Sequence, residues 1–456
     1  MKALILAAGK GERFYPFNHY HAKAMFPLCN RPIIERVIRR IVQAGIDDIG
    51  IVVGHRGGSI RAHLDDGSLF GCSITYVDQP EPLGTAHAVS CARPYINTDD
   101  VIVVPGDCWF DDDVLPAALE AFDRSTGAGV AVTANVDHIS EHVRAGVGDD
   151  GQLVDAVWKP RGHAGTAVAG IYVFRNAAID RLENVPDVLR AQFGISPPTG
   201  KELHAAIKVY HQAGTPLLAA ASPSPVYDID YPWHPDTIGD VVAEREGRDL
   251  TESRIDPSAR IDTDARISGP VSVGPNTVIE RDAYIEGPSW IGADTRIVEG
   301  SHISRHSVIG NQCLIGPYAK VNGFVGNDCR ITYLGEFTGT MCDGGRVTHQ
   351  IQLSGVFGLG AEIGAGTQTG TLRFDDAPIE VEVNGQRKVA RGFSGVLFGD
   401  YARTGVGAMM MPGRIIGPGA MVGAGVVLMK NVPPHMALLL KQETELVDWP
   451  QQIYDR

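Results

Sequence analysis

From Ile255 onward every sixth residue is a β-branched aliphatic. The series Ile255, Ile261, Ile267, Val273, Ile279, Ile285, Ile291, Ile297, Ile303, Ile309, Ile315 and Val321 runs without a break. Strands repeat every second residue and helices about every 3.6, so neither produces this spacing. A parallel β-helix does, because one side chain per short strand points inward and stacks on the coil below. Gly274, Gly292, Gly310 and Gly316 suit its corners. The phase returns at Ile351, Phe357 and Ile363, and a second phase joins Phe398, Thr404, Met410, Ile416, Val422 and Leu428. Between them, the charged residues 375–391 hold Asn384-Gly385 between β-type runs, which predicts a hairpin leaving the coil. Residues 437–454 read as a short terminal helix or cap shielding the last edge.

The preceding half follows a different rule. Short apolar strands at residues 3–7, 49–53, 74–77, 101–104 and 130–133 alternate with helical patterns such as residues 31–44. This predicts an α/β domain with a mostly parallel sheet covered on both faces. A polar, helix-like stretch at residues 236–249 reads as a connector. The expected division is an α/β domain at 1–233, a connector helix at 234–252, a β-helix at 253–436 and a cap at 437–456.

Several function classes are disfavoured. A net charge of −14 argues against nucleic acid as a partner. No apolar run approaches the ~18 residues of a membrane span. The apolar start runs straight into a glycine loop, unlike a secretory signal. Seven scattered cysteines without a C-x-x-C pair suit reduced thiols in a cytoplasm, not disulfides or zinc.

Chemistry concentrates after the first strand, in Leu6-Ala7-Ala8-Gly9-Lys10-Gly11-Glu12-Arg13. Glycines there let backbone N–H groups approach phosphate oxygens. Arg13 and Lys23 add two cations suited to a triphosphate and a departing pyrophosphate. Taken singly, the other chemical residues have plain structural readings: Asp107 as a helix N-cap, Lys159 as a solvated lysine, Asp228 in a turn.

Their joint order carries more. Residues 3–34 resemble the signature of the sugar-1-phosphate nucleotidylyltransferases, which use a Rossmann-like α/β domain, and the similarity extends over about 230 residues. The resemblance implies that Ala8, Gly9 and Gly11 hold the nucleotide, while Gln79 and the Gly84-Thr85 backbone read its base. It implies Mg²⁺ on Asp107, within Val104-Pro105-Gly106-Asp107, and on Asp228, within Asp228-Ile229-Asp230-Tyr231-Pro232-Trp233. Lys159 would hold the sugar phosphate and Glu202 would contact the sugar. Trp158 stands where the family has a glutamate on the sugar hydroxyls, and it either stacks on a ring or belongs to the core. Glu12 and Ala22 are further departures, standing where Thr or Ser and Pro are usual. The implied reaction is in-line attack of a sugar-1-phosphate oxygen on the α-phosphorus of an NTP, Mg-dependent, with release of pyrophosphate. The base, and whether the acceptor is a sugar or a cyclitol phosphate, stay open.

Joined to a six-residue repeat, this domain resembles the bifunctional amino-sugar-1-phosphate acetyltransferase/uridylyltransferases and their archaeal-type relatives. That implies a left-handed β-helix, a homotrimer or a multiple of it, and acetyl-CoA sites between chains. Ile363-Gly364-Ala365-Gly366-Thr367 resembles the acetyl-CoA region, and Tyr333, His349 and Ala365 are the site residues it suggests. Arg330 stands where a histidine base is usual, and a guanidinium cannot accept a proton. Thr371 replaces an Asn, and a lysine usual near residues 393–395 is missing. The interval from Tyr333 to Ile363 is longer by about one 18-residue coil, as judged from the repeat, and His349 lies inside it. Three expectations follow: a nucleotidylyltransferase whose β-helix drives assembly, the same enzyme with an added acetyl transfer, or a non-catalytic subunit of the kind found among translation exchange factors.

Overall fold

The computed structural model describes residues 1–54, 56–189 and 199–448. The N-terminal sheet has nine strands: β1 (Lys2–Ala7), β2 (Asp48–Val53), β3 (Ser73–Asp78), β4 (Val101–Pro105), β5 (Gly129–Val136), β6 (Val143–Val147), β7 (Leu153–Trp158), β8 (Gly165–Phe174) and β9 (Leu217–Ala221). Their main order is β7-β6-β8-β4-β1-β2-β3, with β5 against β8 and β9. β1, β2, β3 and β4 run parallel, whereas β8 is antiparallel to β4, β5 and β6. The sheet is therefore mixed rather than mostly parallel. Between β5 and β8 the chain runs through β6 and β7 with no α-helix, so no helical crossover of the kind that joins parallel strands connects them.

Helices α1 (Ile33–Gln43), α2 (Thr85–Cys91), α3 (Val114–Arg124) and α4 (Leu203–Gln212) cover the sheet. Alternate residues of β1 serve opposite cores. Ile5 packs with Ile34, Ile38 and Ile41, and Leu4 packs with Val89 and Ile207. Helix α5 (His234–Gly247) then leads into the repeat.

The repeat forms a parallel β-helix with inward Ile and Val stacked coil on coil. Ile255, Val273, Ile291 and Ile309 are successive partners on one face, eighteen residues apart. Beyond Ile309 the coils shorten to sixteen residues, as the pairs Val321↔Phe337 and Phe337↔Leu353 show. Here two faces fuse into single six-residue strands, Lys320–Val325, Glu336–Met341 and Gln352–Phe357. Each bends at a glycine, Gly323, Gly339 or Gly355, with φ of 134°, 122° and 132°. A Cβ at any of them would lie 2.0–2.2 Å from a carbonyl oxygen of the next coil. This is why the six-residue phase is lost after Val321. The additional stretch holding His349 is thus a sixteen-residue coil, not an eighteen-residue one. Ile351 is buried, but Leu353 is the residue paired with Phe337.

The coil is interrupted by an antiparallel ribbon, Glu380–Val383 against Gln386–Val389. Its turn residues Asn384 and Gly385 are both left-handed, with φ of 50° and 73°, as a two-residue hairpin turn requires. At the far end Ala437–Leu438 extends the last rung beside Met421–Val422. Residues 439–448 form no helix and expose Leu446 and Val447, which have no apolar surface to pack on. The rest of the expected cap lies outside the described residues.

One apolar cluster joins the two halves. Phe14, Phe17, Trp109, Tyr231, Trp233 and Val242 pack with Phe324, Val356, Val381, Val383, Leu397 and Ile415. Asn30 donates from Nδ2 to the carbonyl of Val308 (3.2 Å) on the β-helix. Arg36 on α1 pairs with Glu246 on α5. Among the described residues no helix is long and apolar enough to cross a membrane. All seven cysteines are free thiols.

Candidate active site

The site assembles where β1 and β4 end side by side. After β1 the chain passes Ala8 and Gly9 and turns at Gly11, which is left-handed at φ 63°. A Cβ on Gly11 would lie 3.1 Å from Cβ of Lys23, so this glycine lets the loop close on that lysine. Gly9 faces open space. A short turn, Glu12–Phe14, then presents Arg13 while Phe14 is buried edge-on against Phe26. A second short turn, Lys23–Met25, presents Lys23.

After β4, Gly106 donates its N–H to the carbonyl of Leu6 (2.9 Å) and sets Asp107 beside the glycine loop. Strand Cys108–Phe110 pairs with Val226–Asp228, placing Asp228 opposite Cys108. The N–H of Ile229 donates to the carbonyl of Asp107 (3.0 Å). Distant parts of the chain thereby bring Asp107 and Asp228 into one cleft with Arg13 and Lys23.

The electrostatics centre on a residue that the sequence reading passed over. Asp230 accepts from Arg13 at 2.7 Å and from Lys23 at 3.3 Å, and Lys23 also lies 2.5 Å from Asp107. Burial alone would raise the pKa of Asp230, but Arg13 and Lys23 hold it well below the usual carboxylate range. Burial would likewise lower Lys23, yet Asp107 and Asp230 keep it raised and firmly charged. The carboxyl of Asp228 is pushed upward, first by the protein crowded around it and then by Asp230. Its surface still opens to the cleft. A signal for Asp230 existed, since Asp228 and Asp230 are two residues apart, the spacing that puts extended side chains on one side.

These donors suit a hard cation. Asp107 and Asp228 offer oxygen only, and crowded carboxylates favour a positive ion between them. Two carboxylates would make only part of such an ion's shell, and among the described residues no group of three or more His, Cys, Asp or Glu side chains gathers around one point.

The expected base and sugar residues lie farther along the cleft. Gln79 is buried and donates from Nε2 to the carbonyl of Gly84 (3.0 Å), with Nδ1 of His87 also 3.0 Å away. With His87 in the tautomer whose Nδ1 accepts, both amide N–H groups are committed, leaving the carbonyl oxygen. Gly84 has φ of 108°, and a Cβ there would lie 2.2 Å from the carbonyl oxygen of Lys201. Thr85 donates from Oγ1 to Glu202 (2.7 Å) and accepts from the N–H of Leu203 (2.8 Å). Gln79, Gly84, Thr85 and Glu202 are thus one connected wall.

Trp158 is half-exposed, which removes the core reading. Its ring stacks on His204 with centroids 5.4 Å apart, and Nζ of Lys159 lies 5.3 Å from its centroid. Lys159 takes a left-handed backbone at φ 43°. Burial, then Arg13, lowers its pKa.

On the β-helix, Tyr333 and His349 are exposed and sixteen residues apart on adjacent coils, with Ala365 on the next. Gly366 donates its N–H to the carbonyl of His349 (3.1 Å), and among the described residues the imidazole has no hydrogen-bond partner. Arg330 is exposed.

Comparison with known proteins agrees with this layout. The family profile described as Nucleotidyl transferase matches residues 2–195, and one described as GMPPB C-terminal domain matches residues 250–340. The low-salt glycan biosynthesis nucleotidyltransferase Agl11 of Haloferax volcanii is 34% identical over 199 residues, 43% of this chain and 55% of its own length. Glucose-1-phosphate thymidylyltransferase of Streptomyces antibioticus is 34% identical over 203 residues, with the same shares. The chain therefore spans about half the length of these two relatives. Bifunctional protein GlmU of Methanococcus maripaludis is 29% identical over 448 residues, 97% of this chain and 98% of its own. Residues 2–195 thus carry a nucleotidyl transferase domain, and along nearly its full length the chain is similar to a protein that joins such a domain to a second half.

Proposed function

We propose that the chain transfers a nucleotidyl group from an NTP to a sugar-1-phosphate, or a similar cyclic polyol phosphate, and releases pyrophosphate. The observation that carries this is the convergence of Arg13, Lys23, Asp107 and Asp228 beside the glycine loop. In the resting protein Asp230 holds both cations. An incoming triphosphate competes for them, and Arg13 and Lys23 then neutralise charge growing on the departing pyrophosphate. Lys159 orients the acceptor phosphate for in-line attack on the α-phosphorus. Asp107 and Asp228 would hold Mg²⁺, which supplies neutralisation of phosphate charge when bound. No side chain becomes covalently attached.

The Gln79 carbonyl would accept from an N–H of the base, and since every base carries one, the nucleotide panel decides which base is taken. Trp158 and Glu202 flank the acceptor, Trp158 offering a ring face in place of a carboxylate. Each NTP should be incubated with Mg²⁺ and a panel of sugar-1-phosphates and cyclitol phosphates, and pyrophosphate measured. Release with a preferred pair, lost in Asp107→Ala, is the expected result. Silence with every pair, or full activity in Asp107→Ala, overturns the reading.

We assign the β-helix to assembly, as a homotrimer or a multiple of it. Leu372 and Phe374 are 80% and 102% exposed, which suits coverage by another chain. Acetyl transfer from acetyl-CoA is not favoured, because Arg330 cannot serve as a base and nothing among the described residues orients His349.

A further inference from the structure

Arg13 and Lys23 stand at the two ends of one loop. Residues 15–22 belong to neither helix nor strand, so side-chain packing, and no hydrogen-bond ladder, sets where the two cations sit. The β-helix supplies such packing along the loop. Phe14 and Phe17 are buried in one cluster with Val383 of the ribbon and Ile415 of the coil. A Cβ on Gly417 would lie 2.8 Å from the hydroxyl oxygen of Tyr15, so this glycine lets Tyr15 reach the coil. Farther along, the ring of His19 meets that of His435 edge-on with centroids 5.7 Å apart. The ring of Tyr20 meets that of Tyr401 in the same way, also at 5.7 Å.

The receiving rings are themselves fixed. Gly360, Tyr401, Gly419 and His435 follow one another up a single corner of the β-helix, all left-handed with φ of 60°, 57°, 63° and 57°. The N–H of Tyr401 donates to the carbonyl of Leu359 (2.7 Å), that of Gly419 to Asp400 (2.8 Å) and that of His435 to Pro418 (3.0 Å). A Cβ on Gly360 would lie 2.9 Å from the ring of Tyr401, and one on Gly419 would lie 2.7 Å from the ring of His435. Each ring therefore rests on a glycine of the coil before it, which fixes its place. Tyr401 is still 50% exposed, so its ring does not serve to fill the coil. The corner presents two seated rings to a loop that lacks a ladder of its own.

We infer that Tyr401 and His435 are positioning residues for nucleotidyl transfer: they hold residues 15–22 against the β-helix, so that Arg13 and Lys23 keep the separation a triphosphate needs. The β-helix then does more than assemble chains, because it completes the triphosphate side of the cleft within its own chain. A shift of about 1 Å in a charged group that meets a reacting phosphate is enough to cost about a hundredfold in rate. The inference rests on the nucleotidyl transfer reading.

The full chain should be compared with two double variants. Tyr401→Asn with His435→Asn removes both rings and keeps a residue that tolerates the left-handed backbone. Tyr401→Phe with His435→Phe keeps a ring at each corner. Losing two aromatic contacts should raise KM for the NTP about tenfold. KM for the sugar-1-phosphate should stay within about twofold, because Trp158, Lys159 and Glu202 belong to other segments. The Phe pair should recover most of the loss. An NTP KM changed by less than about threefold in the Asn pair overturns the inference. An equal rise in both KM values, a fall in kcat alone, or a Phe pair no better than the Asn pair overturns it too, by showing a general structural role. If the unaltered chain releases no pyrophosphate with any pair of substrates, the parent reading fails instead. Hydrogen exchange followed by mass spectrometry on the same three proteins then decides the inference by itself. Faster exchange confined to residues 14–22 in the Asn pair supports it. Unchanged exchange there, or faster exchange throughout the chain, overturns it.

Discussion

Replacing Asp230 by asparagine should weaken the fold and strengthen nucleotide binding at once. Asp230 lies 2.7 Å from Arg13 and 3.3 Å from Lys23, and its side chain is only 15% exposed. At an effective dielectric near 20 such separations give roughly 5–6 kcal/mol of gross attraction per pair. Desolvation of the three charges offsets most of that, and removing one partner of a buried pair costs about 3–5 kcal/mol in measured cases. Asparagine keeps the size and one acceptor oxygen, so Asp230→Asn should cost about 2–3 kcal/mol. The same change releases Arg13 and Lys23, and a triphosphate no longer has to displace a carboxylate. If about 1.4 kcal/mol is returned in this way, Mg-NTP binds about tenfold more tightly. Denaturant unfolding followed by tryptophan fluorescence reads the first effect, since Trp109 and Trp233 are buried beside the site. Calorimetric titration with Mg-NTP reads the second. Unchanged stability would show that the ion pairs contribute nothing. Weaker nucleotide binding would show that Asp230 serves the ligand rather than restraining the cations.

Three further outcomes follow from the same geometry. Gly355→Ala forces a Cβ to 2.0 Å from the Val396 carbonyl oxygen at φ 132°, so thermal unfolding should show a loss of about 3 kcal/mol or more. Gly385→Ala at the open ribbon tip should lose only about 1 kcal/mol. Asp400 is buried and accepts from the N–H of Leu359 at 2.9 Å; burial pushes its pKa up to about 6. Its neutral form is favoured in the fold, so its stabilising effect is full below the unfolded value of about 3.9 and is lost as pH rises through about 6. The change is about 3 kcal/mol and should flatten in Asp400→Asn, as unfolding at pH 4, 6 and 7.5 would reveal. Thr85→Val removes the donor to Glu202 and the acceptor for Leu203. It should cost about 2–3 kcal/mol and raise KM for the acceptor, and an unchanged KM would separate Glu202 from acceptor binding.

Much of the fold was legible because it rests on periodic burial. The inward Ile and Val from Ile255 to Ile309 stack as their spacing implies. Asn384-Gly385 forms the turn its backbone freedom suggests. The shortened coils were not legible, because they depend on close approach of backbones at Gly323, Gly339 and Gly355. No hydrophobic period records that. The antiparallel placement of β8 was hidden for a similar reason, since strand propensity says nothing about which neighbour a strand meets. Arg13, Lys23, Asp107 and Asp228 could be named from the sequence, but the strand pairing and ion pairs that gather them could not. Asp230 was missed because its weight comes from two partners more than two hundred positions away in the chain. The ribbon was foreseen as a loop leaving the coil, but its contact with the catalytic turn is a tertiary fact, fixed by Val381 and Val383 burying against Tyr231 and Trp233.

The central claim is that an acceptor phosphate oxygen attacks the α-phosphorus of a nucleotide in the cleft of Arg13, Lys23, Asp107 and Asp228. The direct measurement uses the preferred sugar-1-phosphate labelled with ¹⁸O in its non-bridging phosphate oxygens, with mass spectrometry of both products. All of the label should remain in the nucleotide-linked product and none in pyrophosphate. Label in the pyrophosphate, or no nucleotide-linked product with any NTP, would contradict it.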